Sequence, residues 1–135
     1  MKNLTINTDG GARGNPGPAG IGVVIANDGN VIGQHKKYIG EATNNVAEYK
    51  ALILALEQAK ELGGENLKIQ MDSELIVRQM QGRYKIKDSG LKILATEVLA
   101  LIKHFKNVEF VHVFRESNKL ADKLVNEAID AHLGF

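Results

Sequence analysis

The sequence predicts an α/β domain built on a mixed sheet. Three observations point there. The first forty residues alternate in short extended runs around a tight turn, the middle changes to helical spacing, and short apolar runs then recur between further helices. Residues 4–8 (LTINT) alternate and read as a strand with one apolar face. Residues 7–22 (NTDGGARGNPGPAGIG) hold both prolines of the chain and a concentration of glycine, and read as its most irregular segment, with Asp9 ending the first strand. Residues 21–26 are apolar, Asn27-Asp28-Gly29-Asn30 forms a hairpin turn, and residues 31–39 resume an extended pattern, which completes a three-stranded antiparallel meander.

From residue 46 to 62, Tyr49, Leu52, Ile53, Leu56 and Ala59 recur at helical spacing, and Gly63-Gly64 ends the helix. Residues 67–71 form a short strand and residues 74–81 a short helix closed by Gly82. A longer helix over 91–105 carries Leu91, Leu94, Val98 and Leu101 on one side. Residues 108–114 are apolar on both faces apart from Glu109 and His112, which predicts a strand inside the sheet. Leu120, Leu124, Ala128 and Leu133 mark a terminal helix. The resulting order is β-β-β-α-β-α-α-β-α, with no linker, repeat or low-complexity tail, so residues 1–135 read as one domain.

Composition narrows the function classes. Apolar residues make up 44% and charged residues 24%, ordinary for a globular chain, and no apolar run approaches the ~20 residues of a membrane span. No charged-then-apolar leader opens the chain, and zero cysteines exclude thiolate metal sites and fit a reducing interior, so a cytoplasmic location is expected. With a net charge of +1, nucleic-acid affinity needs a local basic patch.

Four acids fall at strand ends and helix starts, the edge where α/β sheets gather their sites: Asp9, Glu48, Asp72 and Asp122. Four converging carboxylates repel unless cations compensate, and hard oxygen ligands suit Mg²⁺ or Mn²⁺. Each acid also has an ordinary explanation. Asp9 before Gly10-Gly11 fits a turn, and Asn45-Val46-Ala47-Glu48 fits a capping box. Asp72-Ser73 fits a helix cap, and Asp122 suits the favourable end of a helix dipole.

The surroundings decide between these explanations. TDGGARGNPGPAG, TNNVAEYKAL, MDSELIVRQMQG and ESNKLADKLVNEA resemble the four signature blocks of type 1 ribonuclease H, in order and spacing over essentially the whole chain. The resemblance implies a ribonuclease H-like fold with a five-stranded mixed sheet flanked by helices. It implies hydrolysis of the RNA strand of RNA/DNA hybrids, leaving 5′-phosphate and 3′-hydroxyl ends. It assigns Asp9, Glu48, Asp72 and Asp122 to two metal ions, Mg²⁺ with Mn²⁺ as a substitute. Two such ions ~4 Å apart activate water and neutralise the leaving oxygen, so no nucleophilic Ser, Cys or Lys is needed.

The resemblance places Gly10, Gly11, Asn15, Asn44 and Asn45 among the strand-binding groups; Thr43, Ser73 and Glu74 are further candidate substrate contacts, and Lys85 and Lys87 candidate phosphate contacts. Glycines let backbone approach a sugar-phosphate strand, and the Asn15 amide can both donate to and accept from a 2′-hydroxyl. A phosphate-cradling P-loop does not fit, because no Gly-Lys-Ser/Thr follows. The chain also departs from the family pattern. Between Gly82 and Leu91 it has only RYKIKDSG in place of a basic, Trp-rich protrusion, and it contains no Trp. Glu74 stands where many relatives carry Gln. Arg115 occupies the place of a mobile histidine, as in archaeal-type relatives, and the four histidines fall outside the motifs. A monomer with no obligate protein partner is expected. The shortened basic segment keeps a second reading open, a catalytically weak module that binds hybrid or double-stranded RNA.

Overall fold

A computed structural model describes residues 2–135. The elements run β1 (Asn3–Ala12), β2 (Gly17–Asn27), β3 (Asn30–Ala42), α1 (Asn44–Glu61), β4 (Asn66–Met71), α2 (Glu74–Met80), α3 (Ser89–Ile102), β5 (Asn107–His112) and α4 (Lys119–Leu133), with a 3₁₀ turn at Arg115–Ser117. The five strands form one sheet in the order β3-β2-β1-β4-β5. β1, β2 and β3 pair antiparallel, while β4 runs parallel to β1 and β5 parallel to β4. The mixed sheet and the antiparallel meander match the pattern of alternation, and the element order is the expected one.

Leu4 and Ile6 of β1, Val23 and Ile25 of β2, and Leu67, Ile69 and Met71 of β4 pack with Leu52, Leu56 and Tyr49 of α1 and Leu91 and Val98 of α3. This is the main core. The opposite face carries α4, where Val24, Ala121 and Leu124 form a much smaller cluster.

Three expectations need correction. The glycine-rich segment is not irregular: Asp9, Gly10, Gly11 and Ala12 lie within β1, Gly17 to Gly22 lie within β2, and only residues 13–16 form the loop, with a cis Asn15–Pro16 peptide. Asp9 therefore sits inside a strand, paired with Gly22, and does not end one. β5 lies at the sheet edge, because apolar residues on both faces report burial by helices and loops and do not report a strand's position in the order. It stops at His112, leaving Phe114 largely exposed.

The glycines are explained by close packing. A Cβ on Gly10 would overlap the Ala47 carbonyl and the Glu48 nitrogen, so α1 can lie against β1 only because residue 10 lacks one. On the other face, a Cβ at Gly22 would overlap the Ala121 carbonyl oxygen, and one at Gly20 would meet the Val125 oxygen at 2.9 Å. Both helices approach the sheet more closely than any side chain would allow.

Candidate active site

The end of the β1–β4 ladder brings the first two acids together. The last parallel pair is Thr8 with Met71, so Asp9, still within β1, and Asp72, just beyond the end of β4, follow it side by side. Glu48 comes from α1. Its helix begins at Thr43, whose Oγ1 accepts the Val46 N–H at 3.2 Å. That start lies two residues before the expected one, so Glu48 is beyond the first turn and does not reach back to a cap. The capping-box explanation fails. Ser73 Oγ likewise caps α2 by accepting the Ile76 N–H at 3.4 Å, which releases Asp72 from that duty.

Asp9, Glu48 and Asp72 each present a carboxylate oxygen, and these oxygens lie within 4.8 Å of one another. Asp9 is 7% and Glu48 6% exposed, while Asp72 is half-buried. Burial, then the charge of Asp72, pushes the Asp9 carboxyl up to about 7. Burial, then the charges of Asp9 and Asp72, holds Glu48 well above the usual carboxylate range. Gly10 N–H donates to Asp9 Oδ1 at 3.0 Å. Glu48 Oε2 is buried with no hydrogen-bond partner. A buried, unpaired carboxylate oxygen among like charges is costly unless a cation satisfies it. The all-oxygen donor set fits Mg²⁺ or Mn²⁺.

Asp122 lies one turn into α4 and lines the same cavity, of about 460 Å³, with Asp9, Asp72, Gly10, Gly11, Asn44 and Arg115. Arg115 is exposed in the 3₁₀ turn and has no ion-pair partner among the described residues.

The remaining predicted residues divide by what already occupies them. Asn15 Oδ1 accepts the Asn44 N–H at 3.0 Å, and Asn44 Oδ1 accepts the Ala12 N–H at 2.8 Å. These two bonds fasten the β1–β2 loop to the start of α1, and they commit the Asn15 oxygen that the sequence reading left available to a ligand. Asn45 follows, half-buried, while Thr43 and Ser73 cap their helices. Glu74 is exposed and pairs with Arg78 at 3.5 Å. Lys85 and Lys87 are exposed in a segment without helix and do not line the cavity.

Sequence reasoning missed Arg13, Asn126 and Asn118. Arg13 and Asn126 line the cavity, where the Arg13 guanidinium bonds Asn126 Oδ1 at 3.2 Å and pairs with Asp130. Asn118, 1% exposed, donates through Nδ2 to Asp72 Oδ2 at 3.3 Å. No periodicity marks these three, and a polar residue before a helix reads simply as a cap. The histidines stay outside the cavity: His132 stacks on Tyr38 with ring centroids 3.7 Å apart, and His112 meets Phe114 edge-on.

A family model described as "Reverse transcriptase-like" matches residues 7–128. The chain is 45% identical over 130 residues to "Bifunctional protein Rv2228c" of Mycobacterium tuberculosis, covering 95% of this chain and 36% of that protein. It is 41% identical over 123 residues to "Ribonuclease HI" of Halobacterium salinarum, covering 90% and 62%. The chain thus spans about a third of the mycobacterial relative and under two thirds of the halobacterial one. Among solved structures it matches LC11-RNase H1 in complex with an RNA/DNA hybrid at 53% identity and a TM-score of 0.93, covering 96% of this chain and 99% of that one.

Proposed function

Because this chain belongs to the type 1 ribonuclease H family, we propose that it hydrolyses the RNA strand of RNA/DNA hybrids, using divalent ions held by Asp9, Glu48, Asp72 and Asp122. The observation that carries the proposal is the cluster of Asp9, Glu48 and Asp72 oxygens within 4.8 Å, with Glu48 Oε2 buried and unpaired. Two Mg²⁺ ions balance the four carboxylates, and Mn²⁺ has the same preference for oxygen. When bound, such ions activate the attacking water and neutralise the charge developing on the leaving 3′ oxygen. Cleavage exchanges the P–O3′ bond for a bond to the water oxygen, leaving 5′-phosphate and 3′-hydroxyl ends.

The chain's own groups bind and orient. Gly11 leaves the cavity wall low beside Asn44, so a sugar-phosphate strand can approach the backbone there. With its Oδ1 engaged, Asn15 still has its Nδ2 as a donor for a ribose 2′-hydroxyl. Thr43, Asn45, Ser73 and Glu74 flank this path at the two helix starts. Lys85 and Lys87 add charge for the hybrid backbone from the exposed segment beyond α2. Arg115, unpaired at the cavity, holds a phosphate electrostatically and moves no proton, because a guanidinium stays charged at working pH.

The reading includes one domain over residues 1–135 that acts as a cytoplasmic monomer. The absence of cysteine supports the compartment, and among the described residues no helix is long and apolar enough to cross a membrane. The test incubates labelled hybrid, double-stranded RNA, double-stranded DNA and single strands with Mg²⁺, with Mn²⁺ and with EDTA. Cleavage of the RNA strand of the hybrid alone, with either ion and not in EDTA, is expected, and Asp72→Asn abolishes it while the protein stays folded. Hybrid bound but uncut by the wild type favours the weak binding module. Near wild-type turnover in Asp72→Asn overturns the metal assignment.

A further inference from the structure

Asn118 precedes α4, where an asparagine ordinarily turns its side chain toward a free helix N–H. Here it forms no such bond. Its Nδ2 donates to the Thr8 carbonyl at 2.9 Å and to Asp72 Oδ2 at 3.3 Å, while its Oδ1 accepts from Asn7 Nδ2 at 2.9 Å. The reverse amide orientation would set Oδ1 against a carbonyl and a carboxylate, so the network fixes which end points where. The Asn118 carbonyl also accepts the Asp122 N–H at 3.1 Å. One fully buried residue thus joins β1, the carboxylate beyond β4, and the first turn of α4.

We propose that Asn118 is a positioning residue that sets the divalent-ion affinity of the site, by holding Asp72 beside Asp9 and seating the turn that carries Asp122. The inference rests on the ribonuclease reading. Asp72 needs such a tie because it lies past the last ladder pair, half-buried, with acids as neighbours that repel it. A neutral amide suits the place. Lysine or arginine would supply the positive charge itself and compete with the ion, and a carboxylate would add to the repulsion. Using one Asp72 oxygen for Asn118 leaves the other for a metal.

The experiment compares wild type, Asn118→Ala, Asn118→Asp and Asn7→Ala. Asn118→Asp keeps a residue that favours helix starts but loses the amide donor. Asn7→Ala removes a bond to Asn118 without touching Asp72, and so reports what loosening this junction does by itself. Mn²⁺ binding to the free protein is measured by calorimetry, beside the Mg²⁺ dependence and KM of hybrid cleavage. Both Asn118 variants are expected to bind Mn²⁺ ~10–100-fold more weakly, the range for losing a group that orients a metal ligand. Raised Mg²⁺ should recover part of the activity of Asn118→Ala, with KM for hybrid within about twofold of wild type. Asn7→Ala should keep wild-type ion affinity even where it melts earlier. A wild type that binds no ion and cuts no hybrid sinks the ribonuclease reading itself. If the wild type cuts hybrid and Asn118→Ala binds Mn²⁺ as it does, the positioning role is wrong. Failure of both Asn118 variants to fold, with or without Mn²⁺, also overturns it and makes the residue purely structural.

Discussion

Replacing Asp9 with asparagine should stabilise the metal-free protein while destroying its activity, and the stabilisation should appear only above acidic pH. Folded Asp9 keeps its proton up to about pH 7, whereas in the unfolded chain it ionises near 3.8. Between those values the folded state binds more protons than the unfolded state, so stability falls as pH rises and levels off above about 7. Asparagine has no proton to lose and escapes this decline. At ~1.4 kcal/mol per tenfold change in proton affinity, the ceiling on the gain is about 4 kcal/mol. Because Glu48 and Asp72 share the repulsion and still repel each other in the variant, about 2–3 kcal/mol is expected from the one substitution. For a domain of this size 1 kcal/mol moves the midpoint by about 3–5 °C, so Asp9→Asn should melt roughly 6–15 °C higher at pH 8 in EDTA. Near pH 4 the two proteins should melt together. Saturating Mg²⁺ should raise the wild type more than the variant, because the ion stabilises whichever folded state binds it better. Thermal unfolding followed by circular dichroism at pH 4, 6 and 8, with EDTA and with Mg²⁺, checks each part. Equal midpoints at pH 8 in EDTA, or an advantage largest at pH 4, would refute the argument that burial and like charge strain the empty site.

Three further outcomes follow from the geometry. Gly10→Ala should destabilise by about 1–3 kcal/mol or more and lower activity with it, because its Cβ has no room beside the Ala47–Glu48 backbone; denaturant unfolding and a hybrid assay read both effects. Arg115→Ala should lose roughly tenfold or more in cleavage rate, equivalent to about 1.4 kcal/mol, and Arg115→Lys should keep much of it, with the shape of the pH–rate profile from about pH 5.5 to 9.5 unchanged in both; an ionisation missing only in Arg115→Ala would contradict a purely electrostatic role, and one missing in His112→Ala would transfer proton handling to that histidine. Asn15→Ala should weaken cleavage by about 1–3 kcal/mol and flatten the response to 2′-deoxy substitution near the cut, since the variant loses the Nδ2 donor and frees the Asn44 N–H; unaltered 2′-deoxy sensitivity would show that Asn15 does not read the sugar.

Much of this molecule was legible in the chain before its structure. Alternation and helical spacing are local patterns, and they located every strand and α-helix with its type. What went astray depends on contacts between distant segments. Glycine is a poor strand former, so the local pattern of β1 ends at Thr8, although Gly10, Gly20 and Gly22 sit in strands against which helix backbones pack. The rank of β5 at the sheet edge is a property of topology, which no run of apolar residues encodes. The four acids could be found because each sits within a motif block that resembles the family's, although Asp9 lies inside its strand and Glu48 beyond the first turn of its helix. Asn118 could not, since its value lies in a bond to Asp72, remote in sequence, and its local pattern is that of an ordinary cap.

The glycines under α4 also bear on how the folded protein breathes. Where Gly20 and Gly22 admit the helix backbone, α4 buries Ala121, Leu124, Val125, Ala128 and Ile129, but the apolar cluster on that face is small beside the one under α1. Beyond those buried side chains the helix is held by Arg13–Asp130, Lys36–Glu127 and the Tyr38–His132 stack, contacts at or near the protein surface. Its local opening therefore requires less free energy than global unfolding, and amide exchange in α4 should outpace exchange in α1 and β1. Asp122 moves with that helix, whereas Asp9 and Glu48 are carried by β1 and α1. Such an opening should separate Asp122 from Asp9 and Glu48, and saturating Mg²⁺ should then slow amide exchange in α4.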